Sequence, residues 1–371
     1  MAVNLTMKTT VFFLLLFSLP LFSQTNGSLP HDGSTRTFVY YTPSTWTEQQ
    51  QLPLMIVLHG LTQTGGGVMD ITQFNDLAEQ HGFVVVYPDG ENFAWNANMN
   101  VTVSTADDLG FIEALATYFQ NNLGTDPARQ YLVGFSNGGF MSHKIACESS
   151  MCFAAIATVA GNMSDTTFAD CAPQFTPSIL HIHGTADGVV PYNGGVGTGV
   201  SVDQVMEKWR SFLNCNPDPV SINMPNQNMF DLSSPQRITW QNCLNDLELI
   251  KITGGGHQWP GIQTLVGGVG TINFDFYSPE VIWEFLSGKA CPSSALVEDE
   301  NMFLTYPNPV LEILHLPGSS EWYCELTNVR GEIVLKGNYI HSIPLAMYPP
   351  GIYFLKVSRS DQEAILKILK Q

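Results

Sequence analysis

The stretch Tyr131-Leu132-Val133-Gly134-Phe135-Ser136-Asn137-Gly138-Gly139 decides how this chain is read. Its first three residues form an apolar run of the kind buried on both faces of a sheet. A helix-like segment follows over 138–147. Between them, Gly-x-Ser-x-Gly predicts a tight, strained turn that lifts a serine hydroxyl above the sheet. The glycines remove side chains that would collide with the neighbouring strand and helix. The helix N-terminus places partial positive charge where negative charge would develop.

The same alternation extends outward in both directions. Strand-like runs are read at 37–41, 54–58, 83–87, 154–159, 179–182 and 247–252. Amphipathic helical stretches are read at 71–80, 108–121, 138–147, 202–213 and 279–286. Strands alternating with helices predict a mostly parallel sheet covered on both faces, with ligands beyond the carboxyl ends of the strands. The expected fold class is α/β, specifically an α/β-hydrolase domain over 24–292.

A serine nucleophile needs a base, and the base needs an orienting acid; in this fold they follow in the order serine, acid, histidine. Asp187 lies in a loop directly after the strand at 179–182, where the acid belongs. Asp165, Asp170 and Asp203 are weaker rivals, in a polar connection or at a helix start. His257 sits in Gly254-Gly255-Gly256-His257-Gln258-Trp259-Pro260, after a late strand, where the base belongs. His183 rivals it but precedes the acid, while His59 and His181 read as structural. The expected oxyanion donors are the backbone N–H of Asn137 and that of Leu61, with Thr62 as the alternative. Asp107-Asp108 precedes a helix and reads first as a cap. Trp95, Tyr192 and Trp259 lie on loops near this chemistry and are candidates for a flat substrate wall. No metal or organic cofactor is expected.

Composition bounds the partners. The net charge is −18, and most of that surplus falls between Gln24 and Val297. An acidic surface repels phosphate backbones, so a nucleic-acid partner is not expected. Lys8 before the apolar run 11–22, followed by Ser23-Gln24, predicts a secretory signal peptide over 1–23. No apolar run long enough to span a membrane follows it. Of the seven cysteines, the spacing suggests Cys215–Cys243 and Cys147–Cys171 disulfides in an oxidising compartment. The odd number leaves at least one thiol over, and Cys324 reads as a small core residue.

After Cys291-Pro292 the pattern changes. A linker is expected over 293–302, then short strand-like pieces at 313–316, 322–328, 332–336 and 352–357. These predict a small all-β sandwich over 303–371.

Several motifs in order resemble the polyhydroxybutyrate depolymerase-like esterases, a family that includes feruloyl and acetylxylan esterases. They are Leu58-His59-Gly60-Leu61-Thr62-Gln63, His81-Gly82-Phe83, Tyr87-Pro88, Asp107-Asp108-Leu109-Gly110-Phe111-Ile112, Asp126-Pro127-Ala128-Arg129, and the segments 134–139, 181–192 and 254–261. The resemblance covers roughly 30–290 and implies the triad Ser136, Asp187 and His257. Asn137 stands where that family often has alanine, and Leu61 where cysteine is common. Both positions offer backbone N–H groups, so these departures bear on the choice of ester rather than on the chemistry. Tyr306-Pro307-Asn308-Pro309, 326–336, Pro350-Gly351-Ile352-Tyr353 and 367–370 resemble the type IX secretion sorting domain. That implies a Bacteroidetes-type exporter as partner, a tail recognised at the outer membrane, and a secreted or cell-surface location. The expected function is a secreted carboxylic-ester hydrolase acting on feruloyl or acetyl polysaccharide esters or hydroxyalkanoate polyester. The alternatives are a serine peptidase of the same fold and a non-catalytic surface binding protein.

Overall fold

The computed structural model describes residues 24–47, 50–99, 104–263, 268–292, 310, 312–316, 322–340, 342–359 and 362–370. The expected signal peptide, the linker at 293–302 and the Tyr306-Pro307-Asn308-Pro309 motif lie outside these residues. Contacts divide the chain into two units, Met1–Pro292 and Ser293–Gln371.

The first unit is built on a ten-stranded sheet. Its strands are β1 (Gln24–His31), β2 (Ser34–Tyr41), β3 (Leu54–Leu58), β4 (Val84–Pro88), β5 (Gln130–Phe135), β6 (Ala155–Val159), β7 (Ser178–Gly184), β8 (Val220–Asn223), β9 (Ser234–Thr239) and β10 (Leu247–Thr253). They lie in the order β1-β2-β4-β3-β5-β6-β7-β10-β9-β8. The central pairs from β4 to β10 are parallel. The flanking hairpins β1–β2 and β9–β8 are antiparallel.

The continuous apolar runs are explained by burial on two sides. Leu54, Ile56 and Leu58 of β3 pack into one core with α3 (Asp108–Leu123), α4 (Asn137–Glu148) and α6 (Val202–Phe212). Met55 and Val57 point into the opposite core, with α1 (Gly65–Thr72), α2 (Phe74–His81) and α7 (Ser278–Leu286). The single helix predicted over 71–80 is two helices. They meet at Gln73, whose φ of 52° breaks the first and starts the second.

The expected disulfides Cys147–Cys171 and Cys215–Cys243 form, and Cys152–Cys291 is a third. The second unit is all β among its described residues. A four-stranded sheet, β13-β12-β15-β16, and a two-stranded sheet, β11-β14, share one core. Here β11 is Ile313–His315, β12 Trp322–Asn328, β13 Ile333–Tyr339, β14 Ser342–Pro344, β15 Gly351–Arg359 and β16 Gln362–Lys370. Cys324 is unpaired and buried in that core, and burial lifts its thiol to a pKa of about 11.

Candidate active site

Ser136 follows directly on β5 and caps α4, with φ 52° and ψ −119°. Such a conformation costs a non-glycine residue on the order of 1–3 kcal/mol and persists only where neighbours enforce it. Here the Ser136 N–H donates to the Val159 carbonyl at 2.9 Å, and the Phe140 N–H donates to the Ser136 carbonyl at 3.0 Å. Two glycines make the turn possible. A Cβ on Gly134 would stand 2.2 Å from the Gly138 carbonyl oxygen, and one on Gly138 would stand 2.3 Å from that of Leu58.

His257 and Asp187 come from the loops after β10 and β7. The His257 Nε2 lies 2.9 Å from Ser136 Oγ, and its Nδ1 lies 2.8 Å from Asp187 Oδ2. An ionised carboxylate can only accept, so Nδ1 carries the proton and Nε2 is the acceptor facing the serine hydroxyl. The other carboxylate oxygen, Oδ1, accepts from the amides of Val189 at 2.8 Å and Val190 at 2.7 Å. Burial pushes the Asp187 carboxyl up, but the His257 hydrogen bond and charge and the Val190 amide outweigh it. They hold the group below the usual carboxylate range. The His257 backbone is fixed by a two-way pairing with Val269, at 2.7 and 2.9 Å.

The rival residues lie elsewhere. Asp165 and Asp170 belong to α5 (Asp165–Asp170), and Asp203 accepts from the Tyr192 hydroxyl at 3.1 Å. His183 is buried, with Nε2 2.8 Å from the Val190 carbonyl and 3.5 Å from Asp187.

The loop expected to supply an oxyanion donor is held by His59 and Gln63. The buried His59 ring lies 2.7 Å from the Gly60 carbonyl through Nδ1 and accepts the Gly90 amide at Nε2. Burial lowers its pKa, keeping it neutral. The Gln63 side chain accepts from the Gly60 amide. The Thr62 N–H donates to the Phe93 carbonyl at 2.8 Å, which removes Thr62 as an alternative donor. The Leu61 amide has no acceptor among the described residues. The Asn137 amide opens α4 and is one of that helix's orphan donors.

Ser136, His257, Leu61 and Asn137 line one pocket of about 470 Å3. Its other walls include Met99, Phe140, Val189 and Val269, and among the described residues no Asp, Glu, Lys or Arg side chain lines it. The aromatic wall read from the sequence is corrected. Trp95 and Trp259 are 0 and 2% exposed and Tyr192 is 6% exposed, so none presents a face to a ligand. The Trp95 indole donates to the His59 carbonyl, Trp259 stacks behind Phe135, and the Tyr192 hydroxyl ties its loop to α6. Asp107 caps α3 as expected. Asp108 instead sits buried against Arg36 at 2.6 Å and accepts the Asn96 amide.

Comparison with known proteins bears on this geometry. Residues 36–174 match the family model Esterase PHB depolymerase. Residues 304–371 match the Secretion system C-terminal sorting domain. Together with three disulfides, that tail marks an extracellular or cell-surface protein. The chain is 27% identical over 184 residues to "Probable feruloyl esterase C" of Aspergillus clavatus, covering 47% of this chain and 62% of that protein. It is 28% identical over 231 residues to "Feruloyl esterase B" of Piromyces equi, covering 58% of this chain and 41% of that one. The chain thus spans less than two thirds of the length of these two relatives. The structure superimposes on acetyl xylan esterase from Aspergillus awamori with a TM-score of 0.53 at 15% identity, covering 71% of this chain and 98% of that one. That likeness fixes the fold as an α/β-hydrolase.

Proposed function

We propose that this protein is a secreted serine carboxylic-ester hydrolase working through an acyl-enzyme. The observation that carries the reading is the unbroken run of hydrogen bonds from Ser136 Oγ through His257 to Asp187. In the proposed cycle Ser136 Oγ attacks the ester carbonyl carbon while His257 Nε2 takes its proton. Asp187 holds the tautomer and stabilises the imidazolium. The Leu61 and Asn137 amides receive the charge developing on the carbonyl oxygen. His257 then returns the proton to the leaving alkoxide. Water, deprotonated by the same nitrogen, attacks the acyl-enzyme and frees the acid and Ser136.

The uncharged, largely apolar pocket supports a neutral acyl group rather than an anionic substrate. Feruloyl or acetyl esters of polysaccharide and hydroxyalkanoate polyester all present such a group. The relatives' names favour the first two. Export is proposed to begin with the signal peptide at 1–23 and to end with recognition of the tail by a type IX exporter.

The test is Ser136→Ala on a p-nitrophenyl acyl ester, with labelling of Ser136 by a fluorophosphonate. Turnover is expected to fall by at least about 10^4-fold and labelling to vanish. Undiminished turnover would end the reading.

A further inference from the structure

Three histidines outside the proposed triad are buried in a line behind its acid. His143 lies on α4, and His181 and His183 lie two residues apart on one face of β7. Thr158 of β6 stands between His143 and His181. The contacts form a chain. Trp209 Nε1 is 3.2 Å from His143 Nδ1, and His143 Nε2 is 3.4 Å from Thr158 Oγ1. Thr158 Oγ1 is 2.8 Å from His181 Nδ1, His181 Nε2 is 3.1 Å from His183 Nδ1, and His183 Nε2 is 2.8 Å from the Val190 carbonyl.

The two ends fix every proton. An indole N–H can only donate and a carbonyl can only accept. From the Trp209 end, His143 Nδ1 must be bare and Nε2 protonated, so the threonine oxygen accepts. From the Val190 end, His183 Nε2 carries the proton and its Nδ1 accepts from His181 Nε2–H. His181 Nδ1 then accepts the threonine O–H. The two deductions meet at Thr158 without conflict, and all five contacts have a single direction.

The chain ends on the loop that carries Asp187. Val190 receives the last hydrogen bond on its carbonyl and gives its own amide to Asp187 Oδ1 at 2.7 Å. His183 Nε2 also lies 3.5 Å from Asp187 Oδ2. We propose that Trp209, His143, Thr158, His181 and His183 form a one-way hydrogen-bond relay that holds the 187–190 loop, with His183 as a positioning residue for Asp187. The proposal rests on the ester-hydrolase reading only in naming what the relay serves. The groups facing it are Asp187 and His257 at one end, and the Tyr192 ring edge-on to His183 at 5.9 Å. Burial independently favours neutral rings, pushing His143 down to about 3 and His181 and His183 below their usual value.

The experiment compares the whole enzyme with Thr158→Val and Thr158→Ser. Imidazole nitrogen and proton spectra of the wild type are expected to show these three rings as neutral Nε2–H tautomers with slowly exchanging protons. Thr158→Val is expected to lower kcat about ten- to a hundredfold through a small misplacement of the acid, with KM within about twofold. Thr158→Ser, which keeps the hydroxyl, is expected to restore kcat. An Nδ1–H tautomer at His181 or His183 in the wild type would overturn the proposal whether or not the variant folds. A folded Thr158→Val enzyme with wild-type kcat would overturn it too. If the wild type fails to turn over esters, the hydrolase reading falls, and the spectra still decide whether the relay exists.

Discussion

The Asn137 side chain grips the backbone of Trp95 from both sides. Its Oδ1 accepts the Trp95 amide at 2.7 Å, and its Nδ2 donates to the Trp95 carbonyl at 3.2 Å. The residue beside the proposed nucleophile thereby imitates a strand partner for the 94–99 segment. Nδ2 also lies 3.4 Å from the sulfur of Met99, which lines the pocket. In the proposed reading one residue offers a backbone N–H to the oxyanion and a side chain to the pocket wall.

Asn137→Ala separates these two contributions. The backbone N–H stays, and the buried Trp95 amide loses its acceptor while the Trp95 carbonyl keeps the Ala97 N–H, a loss of about 1–3 kcal/mol. Denaturant unfolding is expected to show that loss. On a p-nitrophenyl ester, KM is expected to rise several-fold as Met99 loosens, with kcat within a small factor of the wild type. A variant with unchanged KM and collapsed kcat would move the side chain itself into the chemistry.

Leu61→Pro tests the other proposed donor. Proline removes the Leu61 N–H together with its side chain and fixes φ there, while the loop remains braced by His59, Gln63 and the Thr62 amide. Loss of one oxyanion donor lowers kcat about 10^2- to 10^3-fold. KM is expected to change little, because a ground-state carbonyl leans less on these donors than the oxyanion does. Wild-type kcat in a folded variant would return the donor role to some other group.

The placement of Ser136, Asp187 and His257 side by side was legible where a local pattern carries each of them. Gly134–Ser136–Gly138 declares its turn within five residues, and Asp187 and His257 each follow a short stretch rich in Ile and Leu that reads as a strand. What depended on non-local packing was not legible. The positions of Trp95, Trp259 and Tyr192 on loops near the proposed site suggested a ligand wall, yet each ring is buried. His181 and His183 share a strand face by simple alternation, a signal the sequence does contain. Their partners His143, Thr158 and Trp209 arrive from three other elements. Strand β8 was missed because it is only four residues long: Val220 and Ile222 alternate with Ser221 and Asn223, but all four are exposed, so the alternation marks no buried face. β1 alternates only between exposed and half-buried positions and carries Gly27 and Pro30.

Acid should unfold this protein through the buried histidines. His143 titrates at about 3 when folded, against about 6.5 for a free imidazole. His181 and His183 are shifted in the same direction by burial. Below about pH 6.5 the unfolded chain therefore binds protons that the folded chain refuses, and stability falls as pH falls. The stabilising difference is complete above about pH 7 and is drawn down toward the folded values. Each such group contributes a slope of up to about 1.4 kcal/mol per pH unit. Guanidinium unfolding between pH 7 and 5 is expected to show a steadily falling midpoint with uptake of more than one proton. A flat midpoint over that range would mean the rings are already charged or open to water.

The Cys152–Cys291 bridge should matter more to stability than either shorter one. It spans 139 residues, against 24 for Cys147–Cys171 and 28 for Cys215–Cys243. In the chain-entropy model its closed loop is worth about 5 kcal/mol and each shorter loop about 3. The bridge also anchors the end of the first unit, after α7, beside β5 and β6. Two hydrogen bonds hold the same end in place. The Cys291 amide donates to the Ala128 carbonyl at 2.7 Å, and the Tyr131 hydroxyl donates to the Lys289 carbonyl at 2.8 Å. Because those contacts remain, Cys152→Ala with Cys291→Ala is expected to keep the fold and its kcat at 25 °C while losing several kcal/mol in denaturant unfolding. The paired Cys147→Ala, Cys171→Ala variant is expected to lose less. The reverse ranking would show that native-state packing around the shorter bridge, rather than the length of chain it closes, sets its contribution.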